Sequence, residues 1–150
     1  MFARIEGAAV AAYPVDLRAA HPNTSFPWDW PGGVVEGVEY ARVLPVDVPQ
    51  TNHTQNHIEG TPDLIDGVWT QTWIVTDATP EQIVERTAEK ASMVRADRNQ
   101  RLSACDWTQL ADAPLTNTAT AAWAAYRQAL RDLSTQAGFP WSITWPTPPQ

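Results

Sequence analysis

The spacing of apolar residues changes near Thr79 and divides the chain into two kinds of pattern. Before this residue, apolar side chains alternate with polar ones in short runs broken by Gly, Pro and Asn, which is typical of β-strands and turns. After it, apolar side chains recur every three or four residues, as they do in amphipathic helices. The pattern predicts an α+β fold, with a small N-terminal antiparallel β-sheet in residues 1–77 and a C-terminal helical domain in residues 78–150.

The first domain is predicted to open with a β-hairpin. Two short strands within residues 2–13 flank Gly7, and the Tyr13–Pro14 pair is expected to close the second strand. Residues 23–33 then combine three aromatic side chains with two prolines, a composition unsuited to a helix or a central strand. We expect this stretch to form an ordered loop whose rings pack over a sheet.

The remaining strands are predicted from β-type residues at 38–46 and 57–74. Asp66–Gly67 lies between two apolar pairs and is typical of a hairpin turn. Beyond this turn one strand is predicted as far as Val75. One of its faces carries Trp69, Gln71, Trp73 and Val75, and the other carries Val68, Thr70, Thr72 and Ile74.

A helix is predicted over residues 79–105. Thr79 can cap it, Pro80 suits its first turn, and Gln82 stands three residues after the cap, as a capping box requires. Acidic residues come early and basic residues late, in agreement with the helix dipole. One face carries an apolar-leaning stripe of Ile83, Thr87, Ala91, Val94, Arg98, Leu102 and Cys105.

A second helix is predicted over residues 118–136, after a connector at 106–117. Its apolar stripe consists of Ala119, Ala122, Trp123, Tyr126, Leu130 and Leu133. Gly138 is a natural stop, and the aromatic and proline-rich residues after it predict an extended tail. Two helices joined by a short connector are expected to form an antiparallel hairpin.

The charge is concentrated in the first domain and limits the choice of partners. Residues 1–77 hold ten Asp and Glu against three Arg, whereas residues 78–150 hold seven acidic against seven basic residues. Lys90 is the single lysine, and no basic cluster exists. Because binding to phosphates requires such clusters, we expect neither a nucleic-acid nor a membrane partner. The early apolar run, Ala8–Tyr13, is too short for a signal-peptide core or a membrane span, so we expect a cytoplasmic protein.

Candidate catalytic and metal-binding residues are sparse. His53 and His57 have the spacing of helical metal ligands, but they lie in a polar segment without a third ligand. Asp63 and Asp66 are explained better by turn chemistry than by a calcium loop. No nucleophile elbow and no glycine-rich phosphate loop occurs. The sequence therefore predicts no enzyme and no cofactor.

Cys105 is the only cysteine, so an intrachain disulfide is impossible. Two interpretations remain open. An adjacent acid and an apolar stripe favour a buried, inert thiol. A disulfide to a second chain would instead require an exposed sulfur at the end of the first helix.

Aromatic residues and arginines cluster in the C-terminal domain. They can form a small core that fastens the tail to the helices, and we expect Trp107, Trp123 and Tyr126 to pack together and with Phe139 or Trp145. They can also form a docking face, because Trp, Tyr and Arg are common in binding hot spots. The candidate partner-binding residues are Trp107, Trp123, Tyr126, Arg127, Arg131, Phe139, Trp141 and Trp145.

Five ordered blocks in this domain resemble a known family. The blocks are Asp106–Leu110, Asp112–Leu115, Trp123–Asp132, Gly138–Pro140 and Trp145–Pro146. Over roughly residues 95–148 they resemble the phage tail assembly chaperone family.

This resemblance implies a non-enzymatic protein that binds a phage tail or tail-fibre polypeptide in the host cytoplasm during assembly. The alternative that it implies is a structural component of the tail, tail fibre or baseplate, retained in the mature virion. Self-association is compatible with both. Composition does not separate the two roles, because each needs a docking face and neither needs catalysis.

Overall fold

The chain divides into two compact units in a computed structural model that describes all residues, Met1–Gln150. Unit 1 is Met1–Ala78 and unit 2 is Thr79–Gln150. Unit 1 holds all eight strands and one short helix, and unit 2 holds two long α-helices and two 3-10 helices. The predicted α+β class is confirmed.

A four-stranded antiparallel sheet begins unit 1. Its strands are β1 (Phe2–Glu6), β2 (Ala9–Val15), β3 (Gly32–Val35) and β4 (Val38–Arg42), in the spatial order β2-β1-β4-β3. The predicted hairpin around Gly7 is confirmed. β2 continues past Pro14 to Val15, however, because an edge strand can include a proline without losing a bond of the sheet interior.

The aromatic loop before β3 packs as predicted, with one exception. The rings of Phe26 and Trp30 lie 4.9 Å apart, and Trp30 lies 5.4 Å from the ring of Phe2 in β1. Trp28, in contrast, is almost fully exposed. β3 starts at Gly32, inside the predicted loop, where a Cβ atom would collide with the backbone of β4.

A single helical turn, α1 (Leu17–Ala20), was not predicted. Asp16 caps it, since its carboxylate accepts hydrogen bonds from the backbone of Arg18 and Ala19. Four residues are too few to produce a helical pattern of apolar positions. The turn leads to the buried His21, whose Nε2 lies 2.9 Å from the hydroxyl of Tyr40 in β4.

Residues 55–77 form one long hairpin, hereafter called the ribbon. Each of its two legs contains two short strands. Its strands are β5 (Gln55–Glu59), β6 (Asp63–Ile65), β7 (Val68–Thr70) and β8 (Trp73–Asp77). β5 pairs with β8, and β6 pairs with β7 across the predicted Asp66–Gly67 turn. These pairs form two ladders outside the four-stranded sheet.

The prediction of one strand after this turn is wrong. Glu59 pairs with Trp73, but Asp63 pairs with Thr70, so the first leg of the ribbon contains one extra residue. Such a bulge accommodates the buried Pro62, which has no N–H to offer a ladder. Opposite the bulge, Gln71 is buried and its side-chain oxygen accepts a hydrogen bond from Val46 N at 3.0 Å.

The ribbon is tied to the rest of unit 1 along one side. Trp69 packs against the core of Ala3, Ile5 and Val43. Tyr13 of β2 donates a hydrogen bond to Oε1 of Glu59, which also accepts one from Gln71 within the ribbon. Burial, followed by the bond to Glu59, raises the pKa of Tyr13 to about 12.

The first long helix of unit 2 is α2 (Pro80–Ala104), and it begins as predicted. Thr79 Oγ1 accepts from Gln82 N at 3.3 Å, and Gln82 Oε1 accepts from Thr79 N at 3.0 Å, which completes a capping box. Of the predicted stripe, Ala91, Val94 and Cys105 are buried. No helix of the structure combines the length and apolar composition needed to span a membrane.

The second long helix is α3 (Asn117–Arg131), extended by a 3-10 helix at Asp132–Thr135. Thr116 caps it through the backbone N–H of Ala119. Tyr126, Leu130 and Leu133 of the predicted stripe are buried, and α3 contacts α2, in rough agreement with the predicted helix hairpin. Another 3-10 helix, Asp106–Gln109, lies in the connector between them.

Replacing Leu130 by Ala is expected to destabilise unit 2 by about 3 kcal/mol, because the removed atoms leave a cavity in a closed core. Leu130 is 0 % exposed. The matched control is Leu110→Ala, since Leu110 is 61 % exposed and its truncation should change the free energy of unfolding by less than about 0.5 kcal/mol. Urea unfolding followed by the helical circular dichroism signal measures both, and similar losses in the two variants would contradict this core.

Candidate docking groove

The tail after α3 folds back on itself before it reaches α2. The side chain of Gln136 closes this loop by two bonds to Thr144: its amide donates to the carbonyl at 2.9 Å, and its oxygen accepts from the backbone N–H at 2.7 Å. Within the loop, Ser142 N donates to the carbonyl of Gly138 at 2.7 Å. A Cβ atom on residue 138 would collide with the Ser142 carbonyl, so this turn requires glycine.

Two arginines of α2 hold aromatic rings of the tail. The guanidinium of Arg101 lies 4.3 Å from the ring centre of Trp145, and that of Arg95 lies 5.3 Å from the ring centre of Phe139. Both distances are within the range of cation–π attraction. Asp97, one turn before Arg101, accepts hydrogen bonds from its guanidinium at 3.0 and 3.4 Å. These bonds raise the pKa of Arg101 and fix the guanidinium over the ring.

Between α2 and the tail lies an open groove of about 560 Å³. Lys90, Met93, Val94 and Asp97 of α2 form one wall, and Pro140 to Ile143 with Trp145 form the other. Met93 is 58 % exposed, and Trp141 presents part of its ring to solvent. The groove therefore combines the exposed apolar side chains of Met93 and Trp141 with polar surface that includes one basic and one acidic side chain. Its volume is in the range of protein binding clefts.

Trp141 is fixed at the edge of this groove. Its Nε1 donates a hydrogen bond to Thr87 Oγ1 of α2 at 3.3 Å. The polar edge of the indole is thus bonded within the protein while part of the ring is left open, an arrangement suited to contact with an apolar side chain.

A second aromatic cluster lies at the start of the connector. The ring centres of Trp107 and Trp123 are 6.4 Å apart, and those of Trp123 and Tyr126 are 5.7 Å apart with an edge-to-face orientation. Trp145 packs against the same cluster. The predicted packing of these residues is confirmed for Trp145, whereas Phe139 lies beneath Arg95 instead.

Arg127 is buried and joins α3 to the end of α2. Its Nη1 donates to the carbonyl of Leu102 at 2.8 Å, in the last turn of α2, and its Nη2 lies 2.7 Å from Asp106 Oδ1. Burial by itself lowers the pKa of Arg127, but the bonds to Asp106 and Cys105 outweigh it and raise the pKa. The guanidinium therefore stays charged beside the negative end of the α2 dipole.

Cys105 belongs to the core. Its Sγ lies 3.2 Å from the carbonyls of Arg101 and Leu102 and 3.1 Å from Nη1 of Arg127. The thiol is free and buried, beside Tyr126 and Leu130. Of the two interpretations of this cysteine, the structure supports the buried thiol.

The candidate partner-binding residues differ in accessibility. Trp107, Arg131 and Trp141 are exposed; Trp123, Phe139 and Trp145 are partly buried; Tyr126 and Arg127 are buried. Sequence reasoning missed Met93, because it lies off the apolar stripe of α2. Arg95 and Arg101, near the end of α2, could have indicated the contacts with the tail. The helix dipole explained their position in the sequence equally well.

Other candidates from the sequence are not assembled into a metal site. His57 packs edge-on against the ring of Trp73 at 5.6 Å, within the ribbon. The structure contains no group of three or more His, Cys, Asp or Glu side chains placed to hold a metal ion.

The similarity of this chain to known proteins lies in its C-terminal residues. Residues 91–150 match the family model of the phage tail assembly chaperone protein. The matched segment contains the second part of α2, the connector, α3 and the tail, and thus most of the groove. The resemblance seen in the sequence is confirmed for this region, and the match supports a role in phage tail assembly. Neither the curated proteins nor the solved structures include a match to the chain.

Replacing Arg127 by Met is expected to destabilise unit 2 by about 1–3 kcal/mol, because the bonds to the end of α2 are lost while the apolar volume is kept. Arg131→Met, one turn along α3 at an exposed position, is the matched control and should stay within about 0.5 kcal/mol of the parent protein. Chemical denaturation measures both. Equal stability of the two variants would show that Arg127 does not fasten the helices.

Proposed function

We propose that this protein is a non-enzymatic assembly chaperone that binds a segment of a phage tail or tail-fibre polypeptide in the groove of unit 2. The observation that carries this proposal is the open apolar strip of Met93 and Trp141, since an exposed and positioned apolar surface is typical of binding sites. Its position inside the segment that matches the chaperone family supports the same conclusion.

The remaining candidate residues have two kinds of role in this proposal. The exposed Trp141 lines the groove and contacts the bound polypeptide directly. The exposed Trp107 and Arg131 lie outside the groove lining and extend the contact beyond it. The partly buried Trp123, Phe139 and Trp145 contribute the edges of their rings. The buried Tyr126 and Arg127 act as positioning residues, because they hold the helices that carry the others.

The proposed setting is the bacterial host cytoplasm during tail assembly. The acidic unit 1 and the balanced charge of unit 2 favour a polypeptide partner over nucleic acid or an anionic membrane surface. Self-association through the same apolar strip would compete with the polypeptide for the groove.

Co-expression with the tail and tail-fibre polypeptides of the same phage tests the binding. The chain is expected to increase the soluble yield of its partner and to purify with it, because it covers apolar surface that otherwise aggregates. Met93→Ser and Trp141→Ala are expected to weaken the complex by about tenfold each, the loss typical of interface anchors. Val84→Ser changes an exposed aliphatic residue of α2 outside the groove and should have no effect. A partner that is retained equally by all variants would contradict the groove as the site.

Mass spectrometry of purified virions separates a chaperone from a structural component. A transient chaperone is expected to be absent from the finished particle. Its presence at a fixed copy number relative to a tail protein would overturn the chaperone role and favour a retained part of the tail, tail fibre or baseplate.

A further inference from the structure

The ribbon of unit 1 exposes aliphatic side chains in matched cross-strand pairs. Ile58 of β5 stands opposite Ile74 of β8, and they are 55 % and 48 % exposed. Nearer the turn, Ile65 and Val68 form a second exposed pair. Directly opposed aliphatic side chains normally stabilise a sheet by being buried together, so these pairs leave apolar surface uncovered.

Both pairs lie on the side of the ribbon that the rest of unit 1 does not use. Neighbouring residues of a strand point to opposite faces. Ile74 therefore points away from Trp73, whose Nε1 donates to the carbonyl of Val46 at 3.1 Å. In the same way, Val68 points away from Trp69, which packs against the core.

The ribbon carries only negative formal charge. It contains Glu59, Asp63, Asp66 and Asp77, whereas the chain has no Lys or Arg between Arg42 and Arg86. Unit 1 as a whole holds ten acidic residues against three Arg. A second copy of this face would bring like charges together, whereas basic side chains would complement it.

We infer that the outer face of the ribbon binds an extended segment of another polypeptide in which aliphatic residues alternate with Lys or Arg. The aliphatic side chains of such a segment would cover Ile58–Ile74 and Ile65–Val68. Its basic side chains would meet Asp63, which shares the face of Ile65, and Asp66 in the turn. This surface lies in unit 1 and does not depend on the groove of unit 2.

Amide chemical-shift mapping on the isotope-labelled full chain tests the inference with two short synthetic peptides, one alternating Val and Lys and one alternating Val and Glu. The Val-Lys peptide is expected to shift resonances within residues 55–77 and to bind more weakly as salt is added. The Val-Glu peptide is expected to produce no shifts there, because its carboxylates meet those of the ribbon.

Two variants identify the contributions of apolar surface and charge. Ile58→Thr with Ile74→Thr keeps β-branched residues in the ladder and is expected to weaken binding by about tenfold. Asp63→Asn with Asp66→Asn is expected to weaken binding and to reduce its dependence on salt. Val34→Thr, at a 69 % exposed position in β3, is the matched control and should bind as the parent does.

Equal binding of the two peptides, or shifts located outside residues 55–77, would overturn the inference. Concentration-dependent shifts of the ribbon without any peptide would overturn it in favour of a second copy of this chain. An unchanged amide spectrum elsewhere in unit 1 verifies that each variant is folded. The groove variants of unit 2 should leave peptide binding intact, so failure of one surface is distinguishable from failure of the other.

Discussion

The contact of Arg127 with the last turn of α2 is the interaction on which the rest of unit 2 depends. It joins α3 to α2 at the point where the connector leaves, and it closes the core over Cys105. Asp106 is largely exposed, so its ion pair with Arg127 contributes less than the bond to the helix carbonyl and the burial of the guanidinium stem. Because the helix ends are held in this way, α2 presents a fixed surface on which the tail packs.

The aromatic rings of the tail pack on that surface, and part of their area remains exposed to solvent. Arg101 covers Trp145 and Arg95 covers Phe139, while the indole N–H of Trp141 is bonded to Thr87. These contacts immobilise large side chains before any partner arrives. Preorganised aromatic groups bind with a smaller loss of conformational entropy, which supports the proposal that the groove, and not a mobile aromatic tail, is the docking surface.

The sequence predicted features that local chemistry determines. The capping box at Thr79 and the Asp66–Gly67 turn were legible because each needs particular residue types at fixed spacing. The break in the ribbon could not be predicted from the sequence. It depends on the hydrogen bond between Gln71 and Val46, which are distant in the chain. The burial of Arg127 was missed for the same reason, because its partner Leu102 is also distant in the chain. An arginine next to Tyr126 is equally compatible with a docking face and with a contact between helices.

Photo-crosslinking from the groove tests the central claim most directly. A photoreactive amino acid at position 93 of the full chain, introduced during phage assembly in the host, is expected to form a covalent adduct with a tail or tail-fibre polypeptide. The same amino acid at position 84, exposed on α2 but outside the groove, should form none. Adducts of equal yield from both positions, or none from position 93 while assembly proceeds, would contradict polypeptide binding in the groove.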